Sequence, residues 1–315
     1  MVSSKKTVWS AVIIAICIGI IAWTCWCDEM RYGGQYYPGE FVLQGNPELW
    51  GELDIEHILF SSGTENNMAL ISGAIDINCG SDSKTASLFA ISDDMIIIGV
   101  IQRGDRYSTV VQSDSAYVSW HDLKGQTVGT RLGTGAEQVL LRFFESVDDL
   151  SWDDFQWVNV RVEDMAATLA AGHIEAFTAW EPTPAIAESQ GARVMMSYGG
   201  VALVPVCLHT TVDYAYTHRE EIVAFLQAHL RKVELIETDP ELAAEHAVAA
   251  ASAIGVEVSP EAFLRIFERV DFSMELTEDV CASLHDTAQF LYDRGKIDHV
   301  PDFYFDASFL EEAME

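Results

Sequence analysis

The chain has 315 residues, and its 18 Lys and Arg residues face 49 Asp and Glu residues, which gives a formal net charge of −31. This balance excludes nucleic-acid binding, because phosphate groups require a basic protein surface. A hydrophobic fraction of 49% excludes general disorder. The excess of acids is interpreted as a strongly solvated surface, with electrostatic steering of a partner as the alternative.

The chain begins with an uncharged hydrophobic run, Thr7–Cys27, which is preceded by Lys5 and Lys6 and followed by acidic residues. A run of this length spans a bilayer as one helix, and the lysines before it predict that the rest of the chain lies outside the cell. Residues 1–29 are therefore predicted to be a retained membrane anchor. Cleavage as a signal peptide or lipidation are the alternatives. No later run reaches this length, which excludes a permease.

The next segment alternates short apolar runs with helical patterns. The predicted strands are Asp54–Phe60, Ala74–Asn78 and Met95–Gln102, and a helix, Glu65–Ser72, lies between the first two. Met95–Gln102 is almost entirely apolar, as expected of a strand that is covered on both faces. Gly73 follows the helix, as a terminating residue in the left-handed conformation commonly does.

A second unit has the same organisation. Its predicted strands are Gly125–Arg131, Phe155–Val160 and Ile174–Ala179, and its predicted helices are Ala136–Glu145 and Glu163–Ala171. Strands that alternate with helices indicate parallel α/β sheets. The two units also share an internal similarity, because Ala69–Asp76 (ALISGAID) aligns with Thr168–Glu175 (TLAAGHIE). Two similar α/β units suggest two lobes with a cleft between them, although a chance similarity of two such turns is the alternative.

The last third of the chain is mostly helical. The predicted helices are Arg219–Glu237, Glu241–Ile254, one that begins at Pro260 after the N-cap Ser259, and one that extends from Thr277 to Arg294.

Small and polar residues follow the predicted strands at three places. Ser61–Glu65 and Gly133–Glu137 each contain a capping box, with Ser or Thr three residues before Glu, and Gly80–Ser83 follows another strand. Ligands of α/β sheets bind at the carboxyl ends of strands, where helix N-termini offer free N–H groups. Helix capping alone explains any one of these turns, but their matching positions in two units favour a binding cleft.

Other side chains near strand ends are weaker candidates. Trp180 is a candidate aromatic wall and Glu181 a candidate acceptor, with core packing and helix capping as the alternatives. Tyr37 ends the presumed first strand and either lines the cleft or packs in the core. Arg103 is expected to pair with surface carboxylates rather than with an anionic ligand. The chain contains no catalytic, nucleotide-binding or zinc-binding motif.

These residues lie in three stretches that resemble the solute-binding family of the aliphatic-sulfonate, taurine, nitrate and thiamine-pyrimidine-precursor receptors. The three stretches are Leu53–Ala86, Asp122–Gly135 and Ala167–Pro182. The resemblance extends over residues 31–297. The sequence of this chain departs from the family pattern after Tyr37 and at Asp82–Lys84, where the family usually has a loop that contains Pro or Ala. These departures leave the ligand open between an anion and a solute with amine donors.

The resemblance implies an α/β type II periplasmic-binding-protein fold with two lobes joined by a hinge and preceded by the N-terminal hydrophobic helix. Lobe I would comprise residues 30–118 and 208–315, and lobe II residues 119–207. The implied ligand-binding residues are Tyr37, Ser62, Gly63, Thr64, Ser81, Asp82, Ser83, Gly133, Thr134, Gly135, Trp180 and Glu181.

The function implied by the resemblance is that of the extracytoplasmic solute-binding component of an ABC importer. Such a protein is a monomer that delivers a small molecule to permease and ATPase subunits, without catalysis, cofactor or metal. The alternatives are an enzyme like the synthase of the thiamine pyrimidine precursor and a sensory ligand-binding protein.

Overall fold

A computed structural model describes residues 29–315, which form eleven strands and twelve α-helices. The predicted membrane segment Thr7–Cys27 lies outside the described residues. None of the helices within residues 29–315 combines the length and the apolar composition that are needed to cross a membrane.

The strands belong to two separate sheets. The strands are β1 Met30–Gln35, β2 Ile55–Phe60, β3 Ile77–Ser81, β4 Met95–Gly104, β5 Tyr107–Gln112, β6 Thr127–Thr130, β7 Gln156–Asn159, β8 Ala176–Trp180, β9 Ala192–Ser197, β10 Val206–Thr211 and β11 Val270–Asp271. The first sheet has the order β11-β4-β10-β3-β1-β2, and the second has the order β7-β6-β8-β5-β9. Both sheets are mixed, because β10 and β5 run antiparallel to their neighbours.

The helices follow the alternation that the sequence predicts. They are α1 Pro38–Gly45, α2 Gly63–Ile71, α3 Asp82–Phe89, α4 Gly135–Glu145, α5 Val162–Ala170, α6 Thr183–Ser189, α7 Val212–Thr217, α8 Arg219–Thr238, α9 Pro240–Ala253, α10 Pro260–Arg269, α11 Glu278–Asp293 and α12 Ser308–Ala313. The predicted strands and helices are confirmed to within three residues at each end, and the predicted cap Ser259 accepts a hydrogen bond from the Ala262 backbone N–H.

The first sheet has a hydrophobic core on each face. Along β4, Ile96 and Ile98 belong to one core, whereas Ile97 and Val100 belong to the other. Successive residues of a strand point to opposite faces, so a strand covered on both sides must be apolar throughout. The prediction that this strand is covered on both faces is confirmed.

The chain passes between the two sheets twice. It leaves β4 at Gly104 and enters β5 of the second sheet at Tyr107, and it returns between Ser197 and Val206. Tyr107–Gln112 therefore pairs with β8 and β9, whereas the lobe boundary drawn at residue 118 from the sequence would place it with the first sheet. Sheet membership favours a boundary close to residue 105.

The internal sequence similarity corresponds to equivalent structure in the two sheets. Gly73 and Gly172 end α2 and α5 with φ values of 72° and 69°, a conformation that Gly adopts without strain. The backbone N–H groups of Asp76 and Glu175 then donate to carbonyl groups of β1 and β6, respectively. The two helix–glycine–strand units therefore lead in the same way into β3, which ends at Ser81, and β8, which ends at Trp180.

Candidate ligand-binding cavity

A cavity of about 350 Å³ lies between the carboxyl ends of the strands of the two sheets. Nine of the twelve residues predicted to bind ligand line it: Tyr37, Ser62, Gly63, Thr64, Ser81, Gly133, Thr134, Gly135 and Trp180. The first five lie at or just after the ends of β1, β2 and β3 of the first sheet, and the last four lie at or just after the ends of β6 and β8 of the second. The predicted strand-end turns therefore meet at one cavity.

The start of α2 forms one wall of this cavity. The Ser62 hydroxyl caps the helix by accepting a hydrogen bond from the Thr64 backbone N–H at 3.3 Å. A side chain at Gly63 would place its Cβ 2.8 Å from the Lys84 Cγ atom. Glycine at this position therefore lets Lys84 lie against the helix start.

The start of α4 forms the opposite wall. The Thr134 hydroxyl accepts a hydrogen bond from the Ala136 backbone N–H at 3.3 Å, and a Glu137 oxygen accepts one from the Gly133 N–H at 2.6 Å. A Cβ atom at Gly135 would overlap the hydroxyl group of Tyr107. The absence of a side chain at Gly135 therefore allows Tyr107 to reach the helix terminus.

Tyr37, which follows β1, and Tyr107, at the start of β5, flank the buried Arg106. The Arg106 guanidinium carbon lies 4.5 Å from the centre of the Tyr107 ring and 5.7 Å from that of Tyr37. Its Nε atom donates to the carbonyl oxygen of Val204 in the return crossover, at 2.9 Å. Its two terminal nitrogen atoms are buried and make no hydrogen bond to any residue within 29–315. Burial raises the pKa of Tyr107 to about 12, and the Arg106 charge opposes this shift.

Asp82 and Ser83 do not line the cavity, contrary to the prediction. The Asp82 carboxylate is buried and accepts hydrogen bonds from the Ser83 N–H at 2.8 Å and from the Thr287 hydroxyl at 2.9 Å. Burial raises the pKa of Asp82, and the Arg106 charge is the strongest opposing effect. The Thr287 hydroxyl also accepts hydrogen bonds from Gln138 at 3.0 Å and from Arg142 on α4. Asp82 therefore belongs to a polar link between α3 and α11 beside the first sheet and α4 beside the second.

Glu181 also points away from the cavity, although its neighbour Trp180 lines it. Its Oε1 atom lies 2.6 Å from the Arg269 Nη2 atom on α10, and its Oε2 atom accepts the Ala185 N–H. Glu181 is only 2% exposed, so burial raises its pKa to about 7, with Arg269 as the main opposing charge. Glu181 therefore forms a second link between the two halves of the molecule.

Eight cavity residues were not among the candidates from the sequence, and three of them are cationic. The eight are Gln35, Lys84, Tyr107, Arg131, Leu132, Arg161, Val162 and Glu163. Ser61 and Glu65, the two ends of the predicted Ser61–Glu65 turn, also line the cavity. The Lys84 amine donates across the cavity to the Gly133 carbonyl at 3.1 Å, and burial lowers its pKa. Arg161 lies 2.7 Å from Asp164 and 3.6 Å from Glu163. The sequence did contain a signal for two of these cations. Arg131 directly follows β6 and Arg161 lies two residues after β7, and arginines at strand ends are conspicuous in a strongly acidic chain.

The contact of Arg103 agrees with the sequence analysis. The Arg103 Nε atom lies 2.8 Å from Asp271, which confirms that this residue pairs with a carboxylate. Within residues 29–315, no group of three or more His, Cys, Asp or Glu side chains has the arrangement of a metal site.

A model of the family described as "NMT1/THI5 like" matches residues 53–243. Among curated proteins, no sequence significantly matches the chain. Solved structures share the fold. The chain is similar to the periplasmic aliphatic sulphonate binding protein SsuA from Escherichia coli, with 20% identity over 87% of this chain and 94% of that one and a TM-score of 0.74. It is also similar to the alkanesulfonate-binding protein SsuA from Xanthomonas axonopodis pv. citri bound to MOPS, with 22% identity, 86% and 95% coverage and a TM-score of 0.74. A third similar structure is that of DSZB in complex with biphenyl-2-sulfinic acid, with 14% identity, 90% and 98% coverage and a TM-score of 0.65.

Proposed function

The chain belongs to the NMT1/THI5-like family, and we propose that it is the extracytoplasmic solute-binding component of an ABC importer. The observation that carries this proposal is the single cavity lined by residues from the strand ends of both sheets. A cavity built in this way can open and close when the two halves rotate about the crossovers. The shared fold with periplasmic sulphonate-binding proteins supports the same function.

Solute binding is coupled to closure in this proposal. The solute first contacts one half of the open protein and then gains contacts with the other half on closure. It shifts the equilibrium only by binding the closed form more tightly. A preference of about 100-fold corresponds to roughly 2.7 kcal/mol. The closed, loaded form is then the state that permease and ATPase partners recognise.

We propose that the solute is a small organic anion. Lys84, Arg131 and Arg161 line the cavity of a chain that is otherwise strongly acidic. The N-termini of α2 and α4 open into the same cavity and favour negative charge. The two carboxylates that suggested an amine-bearing solute, Asp82 and Glu181, are buried in other contacts. The sulfonate and sulfinic acid named for the similar proteins belong to the same chemical class.

Calorimetric titration of the purified soluble part, residues 29–315, tests this proposal. The ligands are ethanesulfonate, taurine, nitrate, a short carboxylate and an aminopyrimidine. We expect saturable binding of at least one anion. Arg131→Ala should weaken it at least about tenfold, because each charge-assisted hydrogen bond contributes about 1.5–3 kcal/mol. Arg265→Ala, which changes a half-exposed arginine outside the cavity, is the matched control.

Tight binding of the aminopyrimidine alone would contradict the anionic solute. A visible absorption band from bound pyridoxal phosphate would instead favour the alternative of a synthase-like enzyme.

The location and partners form part of the same proposal. Thr7–Cys27 would tether the protein to the outer face of the cell membrane, and the two-sheet body would act as a monomer. Fractionation of cells that express the full chain tests the tether. The full chain should sediment with membranes, whereas a chain that lacks residues 1–28 should remain in the supernatant.

A further inference from the structure

A second pocket of about 180 Å³ lies directly beside the cavity. The side pocket is bounded by α3, α4 and α11, and it shares Lys84, Gly133 and Thr134 with the cavity. Its location places it on the flank of the molecule, where residues beside the first sheet meet α4 of the second half. The two spaces are therefore neighbours, and Lys84 and the Gly133–Thr134 turn line both of them.

Lys84 forms the partition between the two spaces. Its stem lies against Gly63 and its amine donates to the Gly133 carbonyl at 3.1 Å. A neutral carbonyl is a weaker partner for an ammonium group than an anion is. Burial already lowers the pKa of the Lys84 amine, so a negative charge in the cavity would be a better partner. An anionic solute that draws the amine away from Gly133 removes the partition.

The side pocket has one apolar wall, which Leu141, Phe290 and Leu291 form. The rest of its lining consists of Gly133 and the polar or charged residues Ser83, Lys84, Ser87, Thr134, Glu137, Gln138, Arg294 and Lys296. The Arg294 guanidinium lies over the Phe290 ring and is paired with Glu145. The apolar wall provides a surface against which an aliphatic chain can be buried.

We propose that the side pocket is a second subsite that takes the apolar tail of an elongated organic anion, and that Lys84 is the movable partition that joins it to the cavity. This inference rests on the proposed function, because the head group of the solute occupies the cavity. Lys84 belongs to the stretch in which the sequence departs from the pattern of similar receptors. In this proposal, the subsite lets this chain accept a longer solute than the similar receptors do.

The test compares ethanesulfonate with octanesulfonate by calorimetry. Octanesulfonate should bind at least about tenfold more tightly, because each buried methylene contributes about 0.8 kcal/mol. Leu141→Trp, which fills the side pocket, should weaken octanesulfonate binding at least about tenfold and leave ethanesulfonate binding within about twofold. Leu242→Trp, at a partly exposed position on α9, is the matched control. Ser87→Leu, also in the side pocket, serves as a second filling variant if Leu141→Trp does not fold.

Lys84→Ala separates the two roles of the lysine. Both sulfonates should bind more weakly because the amine is lost, but the ratio of the octanesulfonate affinity to that of ethanesulfonate should rise because the partition is gone. Equal effects of the filling variant on both ligands, or no preference for octanesulfonate in the unmodified protein, would overturn the subsite. If only the carboxylate binds, acetate and octanoate replace the two sulfonates in the same comparison. Failure of every anion to bind would instead contradict the proposed function.

Discussion

The polar groups of the two turns that line the cavity, at Ser62 and Thr134, face a space that a solute can enter. The carboxylates of Asp82 and Glu181 instead contact other residues of the protein. The turns at Ser62 and Thr134 cap their helices and still face the cavity. Asp82 and Glu181, which lie next to cavity residues in the sequence, are buried in other contacts. Glu181 contacts Arg269 beside the first sheet, and Asp82 is connected to α4 beside the second sheet through the Thr287 hydroxyl. The turns are thus placed to bind a solute, whereas the carboxylates hold the two halves of the molecule together.

This difference follows from burial and from partner choice. A carboxylate at the rim of a polar cavity is solvated, but one that is 1–2% exposed requires hydrogen bonds or a cation. Glu181 finds Arg269, and Asp82 finds Thr287 with the Arg106 charge nearby. Changes in the links should therefore alter stability, and changes in the cavity should alter affinity. Substitutions in the links and in the cavity therefore test this division.

Arg269→Ala should have the largest effect on stability. At about pH 8.5 Glu181 is ionised in the folded protein, and removal of its cation should lower the free energy of unfolding by about 3 kcal/mol. Near pH 6 the loss should be smaller, because Glu181 can take up a proton instead. Urea denaturation at both pH values measures these losses.

Arg265→Ala is the control for this change, because the Arg265 Nε atom lies 4.0 Å from Glu188 and its side chain is 44% exposed. We expect this variant to lose less than about 0.5 kcal/mol. Equal losses for the two arginines would contradict the role of the Glu181–Arg269 link.

Glu181→Gln should flatten the dependence of stability on pH. The folded protein holds a proton on Glu181 up to about pH 7, whereas the ordinary pKa is 4.5. The folded state therefore binds the extra proton in this window, and stability must fall as the pH rises. Between about pH 5.5 and 8, the deprotonation of Glu181 should lower the free energy of unfolding by about 2 kcal/mol.

The difference in unfolding free energy between the unmodified protein and Glu181→Gln isolates the contribution of Glu181. His209, whose pKa is lowered to about 3 by burial, contributes a change of opposite sign below its ordinary pKa of 6.5. That change is common to both proteins and cancels in the comparison. Parallel curves of unfolding free energy against pH would show that Glu181 does not titrate as described.

Gly135→Ala should weaken solute binding about tenfold, or roughly 1.4 kcal/mol. The added Cβ atom overlaps the Tyr107 hydroxyl, so either the ring or the helix start must move within the cavity. Gly200→Ala is the matched control, because a Cβ atom there meets no atom within 4 Å. Unchanged affinity in Gly135→Ala would show that this wall does not contact the solute.

The sequence was a good guide to features that depend on local pattern. Strand β4 was predictable because a doubly covered strand is apolar at every position, and the turns at Ser62 and Thr134 were predictable because capping residues precede helices. The position of these turns at strand ends was sufficient to bring them to one cavity. Nine of the twelve predicted site residues line it for this reason.

The remaining features depend on tertiary contacts that no local pattern reveals. Glu181 follows a cavity residue, but its direction is set by Arg269, which is 88 residues away in the chain. Strand Tyr107–Gln112 belongs to the second sheet because it pairs with β8 and β9, and the sequence of a buried strand does not indicate which sheet it joins. Lys84 was missed because a lysine in the first turn of a helix is ordinarily solvated.

A crystal structure of residues 29–315 with the tightest-binding anion is the most direct measurement. We predict that the anion contacts the Ser62–Thr64 turn and the Gly133–Gly135 turn at the same time, with Asp82 and Glu181 outside its contact distance. An anion that binds at another surface, or that touches one turn while the other faces solvent in the closed protein, would contradict the central claim that both sheets enclose one solute.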